Sequence, residues 1–205
     1  LPMVEADDVI AQVVKSPVFH DWQKVIVSSD KDFIQICSEN TILYRPIQKK
    51  ILNSMRIVEE YGIHPNNFAL ARAIVGDKSD NLDGIRGVGL RTIAKKFPCM
   101  SEEEFITIDK LIEMCSTAEK QAKVHESIME GREVIETNYK IMQLYSPSIS
   151  PQGKEHIRFN IEENEHDFNK TELQKMMIED GFGAGDWSDL FQTMKRISID
   201  SREQI

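Results

Sequence analysis

Apolar positions along the 205 residues change their period once, and the change divides the chain. The first part alternates short continuous runs with helix-period stripes. Val9, Ile10, Val13 and Val14 recur at helical spacing behind Glu5-Ala6-Asp7-Asp8, predicting a helix that stops before Pro17. Lys24-Val25-Ile26-Val27-Ser28 is a continuous apolar run, the pattern of a buried parallel strand. Thr41–Arg45 and Lys50–Leu52 read as two more strands joined by a turn at Pro46–Lys49. Ser54 is placed to cap a helix over Met55–Tyr61, with Gly62 as its left-handed stop. Pro65 opens the next helix, Asn66–Val75, whose apolar positions are Phe68, Leu70, Ala71, Ala73, Ile74 and Val75.

Beyond that helix the period is helical throughout. Ser101 before Glu102-Glu103-Glu104 reads as a capped start for a stripe of Phe105, Ile108, Leu111, Ile112 and Cys115. A second stripe runs from Ala118 to Glu136 through Ala122, Val124, Ile128, Met129, Val134 and Ile135. Ser146–Gly153, rich in proline and serine, reads as a turn or linker. A short helix over Leu173–Ile178, a break at Gly181–Gly185 and a terminal helix over Trp187–Ile197 complete the pattern. In the last of these Trp187, Leu190, Phe191 and Met194 form a core or docking face, and Ser198–Ile205 is expected to be mobile. The expected fold class is α/β, a parallel sheet flanked by helices, followed by a helical domain. The boundaries read as 1–62 for the α/β part, 63–146 for the helical domain and 147–205 for a helical extension. No internal repeat is visible.

Composition is that of a globular protein, 40% hydrophobic and 29% charged. No apolar run approaches the roughly 18 residues of a membrane helix, and no signal-peptide pattern opens the chain, so no membrane partner is expected. Cys37, Cys99 and Cys115 are odd in number and show no C-x-x-C spacing, which reads as reduced thiols of an intracellular protein. A net charge of −9 argues against nucleic-acid binding until its distribution is considered. Between Gly76 and Phe97, Lys78, Arg86, Arg91, Lys95 and Lys96 stand against Asp77, Asp80 and Asp83. The surplus acids at Glu102–Glu104 and Glu162–Asp167 read as a solvated face or loop.

Candidate chemistry lies in three acidic pairs and one glycine turn. Glu5, Asp7 and Asp8 at a helix start have an ordinary role as dipole partners worth about 0.3–1 kcal/mol each. Asp30 and Asp32 follow a strand, at the edge where α/β sheets place their sites, yet Asp32 equally suits a cap for Phe33–Ile36. Asp77 and Asp80 end an apolar helical run. Gly84-Ile85-Arg86-Gly87-Val88-Gly89 then opens onto the basic segment Leu90–Phe97, a shape that aims unpaired helix N–H groups at phosphate.

The stretch from Gly76 resembles the helix–three-turn–helix signature of the 5′-nuclease family, close to G-D-x-x-D-N-[IL]-x-G-[VI]-x-G-[IV]-G-x-[KR]-T-A. Gly76, Asp77, Asp80, Asn81, Leu82, Gly84, Ile85, Gly87, Val88, Gly89, Arg91 and Thr92 fit it. Asp83 departs from the proline many members carry. E-A-D-D at Glu5 and S-S-D-K-D-F at Ser28 match the family's other acidic elements, in order, and Asn138–Leu144 resembles the segment that returns to dock on the core. The resemblance covers about residues 2–145 and looks more phage-like than eukaryotic.

The resemblance implies that Glu5, Asp7, Asp8, Asp30, Asp32, Asp77 and Asp80 hold two Mg²⁺ or Mn²⁺ ions, with Glu5, Asp7, Asp30 and Asp32 catalytic. The all-oxygen donor set favours these hard cations over zinc. Gly87, Gly89, Arg91, Thr92, Lys95 and Lys96 would grip duplex DNA, with K⁺ held at the glycine turn. The activity implied is phosphodiester hydrolysis near the 5′ end of a flap, nick or RNA-primed duplex, by 5′–3′ exonuclease, flap endonuclease or ribonuclease H chemistry. A monomer is expected, soluble in the cytoplasm (the host's, for a phage protein), with the C-terminal helix available to replication proteins. By the same resemblance, a strand ending in a metal-binding aspartate, a further acid and a basic helical arch would precede Leu1. The alternative from another class is a duplex-binding module with no catalysis of its own.

Overall fold

A computed structural model describes residues 4–162, 168–183 and 185–203. The first helix, α1 (Ala6–Val14), ends where Pro17 begins a 3₁₀ turn. Strand β1 (Lys24–Val27) leads through a second 3₁₀ turn, Asp32–Ile36, to β2 (Thr41–Arg45) and β3 (Lys50–Leu52). The sheet order is β1-β2-β3. β1 and β2 are parallel, with Lys24 opposite Thr41, whereas β2 and β3 form an antiparallel hairpin with Leu43 opposite Leu52. The expected parallel sheet is therefore mixed, because the four residues between β2 and β3 allow only a hairpin return.

The expectation of a strand buried on both faces needs a second correction. Ile26 is buried, but Val25 and Val27 are 54% and 64% exposed. Among the described residues β1 pairs only with β2, so it is an edge strand with one face open. That face and Val9, Ile10, Val13, Val14 and Phe19 line an open apolar groove of about 510 Å³.

Helix α2 (Ser54–Tyr61) is capped by Asn53, whose side chain accepts from the Arg56 amide, one residue earlier than the sequence suggests. Gly62 ends it at φ 66°. Helix α3 (Pro65–Val75) is the element around which residues 1–154 pack. It packs against α2, the 32–36 turn and the helices that follow it. Phe68, Leu70, Ala71, Ala73 and Ile74 are all buried, so nearly every face of α3 is inside. A two-residue-strand hairpin, β4 (Gly76–Asp77) and β5 (Leu82–Asp83), then leads to α4 (Leu90–Lys96).

The triple-glutamate stretch is not a helix start. Residues 102–107 run without helix, and α5 (Ile108–Ser116) is capped by Thr107, whose hydroxyl accepts from Lys110. The reason is Asn67, fully buried on α3. Its side-chain amide donates to the carbonyls of Glu102 and Glu104 and accepts from the Ile106 amide, holding that strap extended. The second stripe is two helices, α6 (Lys123–Glu130) and α7 (Arg132–Met142), broken at Gly131. A Cβ at Gly131 would lie 2.1 Å from Ile85 Cδ1, so the break lets the 84–89 turn approach.

The return of the chain onto the α/β part is visible at the end of α7. Gln35 donates to Met142 O and accepts from Leu144 N, while Lys15 donates to Leu144 O and lies over the Tyr145 ring. Removal from water brings the Lys15 ammonium down to about 8. Gln35→Ala is thus expected to free the 142–145 segment and lower the melting temperature by roughly 2–12 °C, two hydrogen bonds at about 0.5–1.5 kcal/mol each. A thermal melt checks it.

Residues 1–154 and 155–205 form two compact units. Helix α8 (Pro151–Glu162) starts inside the expected linker, because Pro151 is at a position that tolerates its missing N–H. In the second unit α9 (Lys170–Glu179) and α10 (Ser188–Glu203) are longer than the sequence suggested, and α10 continues through residues expected to be mobile. Trp187 donates to Phe182 O, and Phe191 is buried against Phe168. Leu1, Pro2 and Met3, and all of the acidic stretch Glu162–Asp167 except Glu162, lie outside the described residues.

Candidate metal centre and phosphate-facing turn

Three carboxylates converge at the end of α3. Asp32 arrives from the turn after β1, Asp77 from β4 and Asp80 from the hairpin tip. One oxygen of each lies within 4.8 Å of the others, and the described cluster contains no histidine or cysteine. Such a donor set suits a hard divalent cation.

A positive charge already serves this cluster. Arg72 projects from α3, its Nε 3.0 Å from Asp32 Oδ1 and its other nitrogen paired with Asp77. All three side chains are at most 17% exposed, so each depends on its partners for solvation. Burial pushes Asp32 up despite Arg72, with Asp30 and Asp77 adding to the rise. Asp77 is held down to about 2, first by the Ser79 hydroxyl donating to it, then against burial by Arg72 and the Ser79 amide. Burial alone would lower Arg72, but Asp32 and Asp77 raise it. Two neighbouring acids are thus pushed apart, the pattern expected where charge is concentrated.

The remaining acids lie outside this cluster. Glu5 is exposed at the N-cap of α1 and makes no side-chain cap bond. Asp7 Oδ1 accepts from the Asp8 amide at 2.9 Å, and burial followed by the Asp7 charge raises Asp8. Asp30 is exposed and turns back to accept from the Asp32 amide at 2.8 Å. That bond aims the 30–32 turn, so it is Asp30 that caps the turn while Asp32 faces Arg72.

The hairpin is wedged into place by glycines. Gly76 has φ 76°, and a Cβ at Gly84 would fall 2.0 Å from Val75 O, a backbone atom that cannot yield. The Ile85 amide bonds Ile74 O at 2.7 Å, pinning the start of the turn to the end of α3. Gly84→Ala is expected to cost about 1–3 kcal/mol through this clash and to lower the thermal midpoint accordingly. Ile85 and Val88 are buried and anchor the turn from below. Above it, Gly87 at φ 79° and Gly89 have open space where a side chain would stand. Arg91, Lys95 and Lys96 are exposed on α4, and Thr92 is half-buried.

Arg72 is what sequence reasoning missed. Its signal was present, the one charged residue of α3, set among apolar positions and five residues before Asp77.

Residues 1–62 match the family described as "5′-3′ exonuclease, N-terminal resolvase-like domain". The 5′-3′ exonuclease of Aquifex aeolicus (strain VF5) is 33% identical over 149 residues, 71% of this chain and 47% of that protein. DNA polymerase I of Rhizobium leguminosarum is 31% identical over 140 residues, 68% of this chain and 13% of that one. This chain therefore spans about half the length of the first relative and a small part of the second. Among solved structures, a mutant of T5 5′-exonuclease superposes with a TM-score of 0.57 at 22% identity, covering 69% of this chain and 56% of that one. A T5 flap endonuclease complex with DNA and metal ions gives 0.56 at 16%, covering 78% and 55%. These two likenesses concern the fold. The family match over the sheet and the relatives named 5′-3′ exonuclease support a 5′-nuclease family for this chain.

Proposed function

We propose that the chain serves a metal-dependent 5′-nuclease, hydrolysing phosphodiesters near the 5′ ends of flapped, nicked or RNA-primed duplexes. The observation that carries this is the Asp32–Asp77–Asp80 cluster at the base of a glycine turn that opens onto exposed cations. Asp32, Asp77 and Asp80 would hold one Mg²⁺ or Mn²⁺, and Glu5, Asp7, Asp8 and Asp30 would serve the second position. When bound, such ions supply an activated water and stabilise charge on the attacking and leaving oxygens.

The chain's own residues do the positioning. Arg72 neutralises Asp32 and Asp77 and keeps their carboxylates turned toward the hairpin. Asp30 fixes the Asp32 backbone. Gly87 and Gly89 leave room for a sugar–phosphate chain, and Arg91, Thr92, Lys95 and Lys96 contact its phosphates without reading sequence. The turn's carbonyls are the place for K⁺. Leu190, Met194 and Ile197, exposed on α10, offer a surface to a replication protein.

The test is cleavage of a 5′-flap duplex with and without Mg²⁺, alongside binding of the same duplex at rising salt. Metal-dependent 5′ products support the nuclease. Salt-sensitive binding with no cleavage supports a duplex-binding module, and neither binding nor cleavage overturns both. Replacing Lys95 and Lys96 together by alanine removes two phosphate contacts. The log–log salt slope is then expected to fall by about 2, measured by fluorescence anisotropy.

A further inference from the structure

Helix α7 carries a buried amide that acts on the carboxylate hairpin from the side opposite the solvent. Asn138 is 3% exposed. Its Nδ2 donates to Ala73 O and to Asp83 O, both at 2.9 Å. The first acceptor is in the last turn of α3, where carbonyls lose their helical partners. The second is the β5 residue whose cross-strand partner is Gly76. One side-chain nitrogen therefore ties the helix that supplies Arg72 to the strand that closes the loop bearing Asp77 and Asp80. The hairpin has two residues per strand, too few to hold its own shape. Its geometry must be imposed from outside, and Asn138 is a tie that reaches both ends of it.

We propose that Asn138 is a positioning residue for the metal-binding carboxylates, fixing Asp77 and Asp80 against Arg72 and Asp32 by bridging α3 and β5. The proposal rests on the metal reading of the cluster but addresses a residue that contributes no ligand. Asn67 supplies a matched control. It sits on α3, is likewise buried and bonds several backbone groups, but these lie in the 100–106 strap and not in the hairpin. Loss of either amide leaves buried or part-buried carbonyls unpaired, so both lesions lower stability. Only one should reach the metal site.

The experiment compares wild type, Asn138→Ala, Asn67→Ala and Asp80→Asn in two measurements, well below each melting midpoint. Mn²⁺ binding is followed by calorimetry, and amide hydrogen exchange is followed over residues 77–83. Asn138→Ala is expected to weaken the Asp80-dependent Mn²⁺ site roughly 10–100-fold and to speed exchange over 77–83. Asn67→Ala is expected to leave both at wild-type values. Should Asn138→Ala not fold, Asn138→Ser keeps one donor and is expected to fall between. Unchanged Mn²⁺ affinity and unchanged exchange in the Asn138 variant would overturn the proposal. If wild type shows no Mn²⁺ site that Asp80→Asn removes, the metal reading fails instead. Exchange then decides alone, with acceleration confined to 77–83 supporting the role of Asn138 and a uniform rise overturning it.

Discussion

Asp80→Asn is expected to leave the thermal midpoint within about 1–2 °C of wild type, since changes at exposed sites usually lie within about 0.5 kcal/mol. It is also expected to reduce metal-dependent cleavage by roughly 10²–10³-fold or more, the loss seen when a preorganised charge-stabilising group is removed. The separation follows from where the carboxylate stands. Asp32 and Asp77 are ion-paired with Arg72, so changing either disturbs the fold as well as the site. Asp80 is exposed at the hairpin tip and joins the cluster through its oxygen alone. Asparagine keeps its shape and removes its charge, leaving the hard-cation donor set one anion short. Mn²⁺ calorimetry on the same variant must show the weakened site. If Asp80→Asn bound Mn²⁺ and cut a flap as wild type does, the cluster would be a surface coincidence.

Much of this site was legible in the sequence because its parts are local. The glycines of the 76–89 stretch answer to backbone requirements within a few residues, a positive φ at Gly76 and Gly87 and a clash-free approach at Gly84. The acids stand next to elements whose period announces them. What was not legible is non-local. Asn67 holding the 100–106 strap and Asn138 holding the hairpin act across 39 and 65 positions in sequence, and no spacing rule connects them. The misread glutamate run shows the cost. Ser101 and three glutamates are good helix-start chemistry, but three hydrogen bonds from one buried asparagine to Met100, Glu102 and Glu104 carbonyls outweigh a preference of tenths of a kcal/mol per residue. The exposed side of β1 is the same lesson in another form. Val25-Ile26-Val27 reads as buried on both faces, yet burial depends on what lies beside a strand, and among described residues only β2 does.

Arg72→Met is the second large effect, and it falls on stability before chemistry. Methionine fills the volume in α3 but leaves Asp32 and Asp77 facing each other without a counter-charge. Breaking a poorly solvated ion pair by removing one partner costs about 3–5 kcal/mol, so a drop of roughly 6–20 °C in thermal midpoint is expected in metal-free buffer. The dependence on pH gives the sign. Asp77, held to about 2 in the folded protein, contributes stability that is present above its unfolded value near 4 and is lost as pH falls toward 2. Asp32 is shifted the other way, so its contribution becomes more favourable as pH falls and less favourable as pH rises through its folded value. Without Arg72 the upward push on Asp32 grows. The variant should therefore gain more stability than wild type as acidification protonates Asp32. A divalent cation should replace what was removed. Millimolar Mn²⁺ is expected to raise the midpoint of Arg72→Met by more than it raises wild type, because the metal alone then relieves the repulsion. Chemical denaturation across pH 3–7, with chelator or with Mn²⁺, measures both. A variant whose midpoint ignored pH and metal alike would show that Arg72 only fills space at the end of α3.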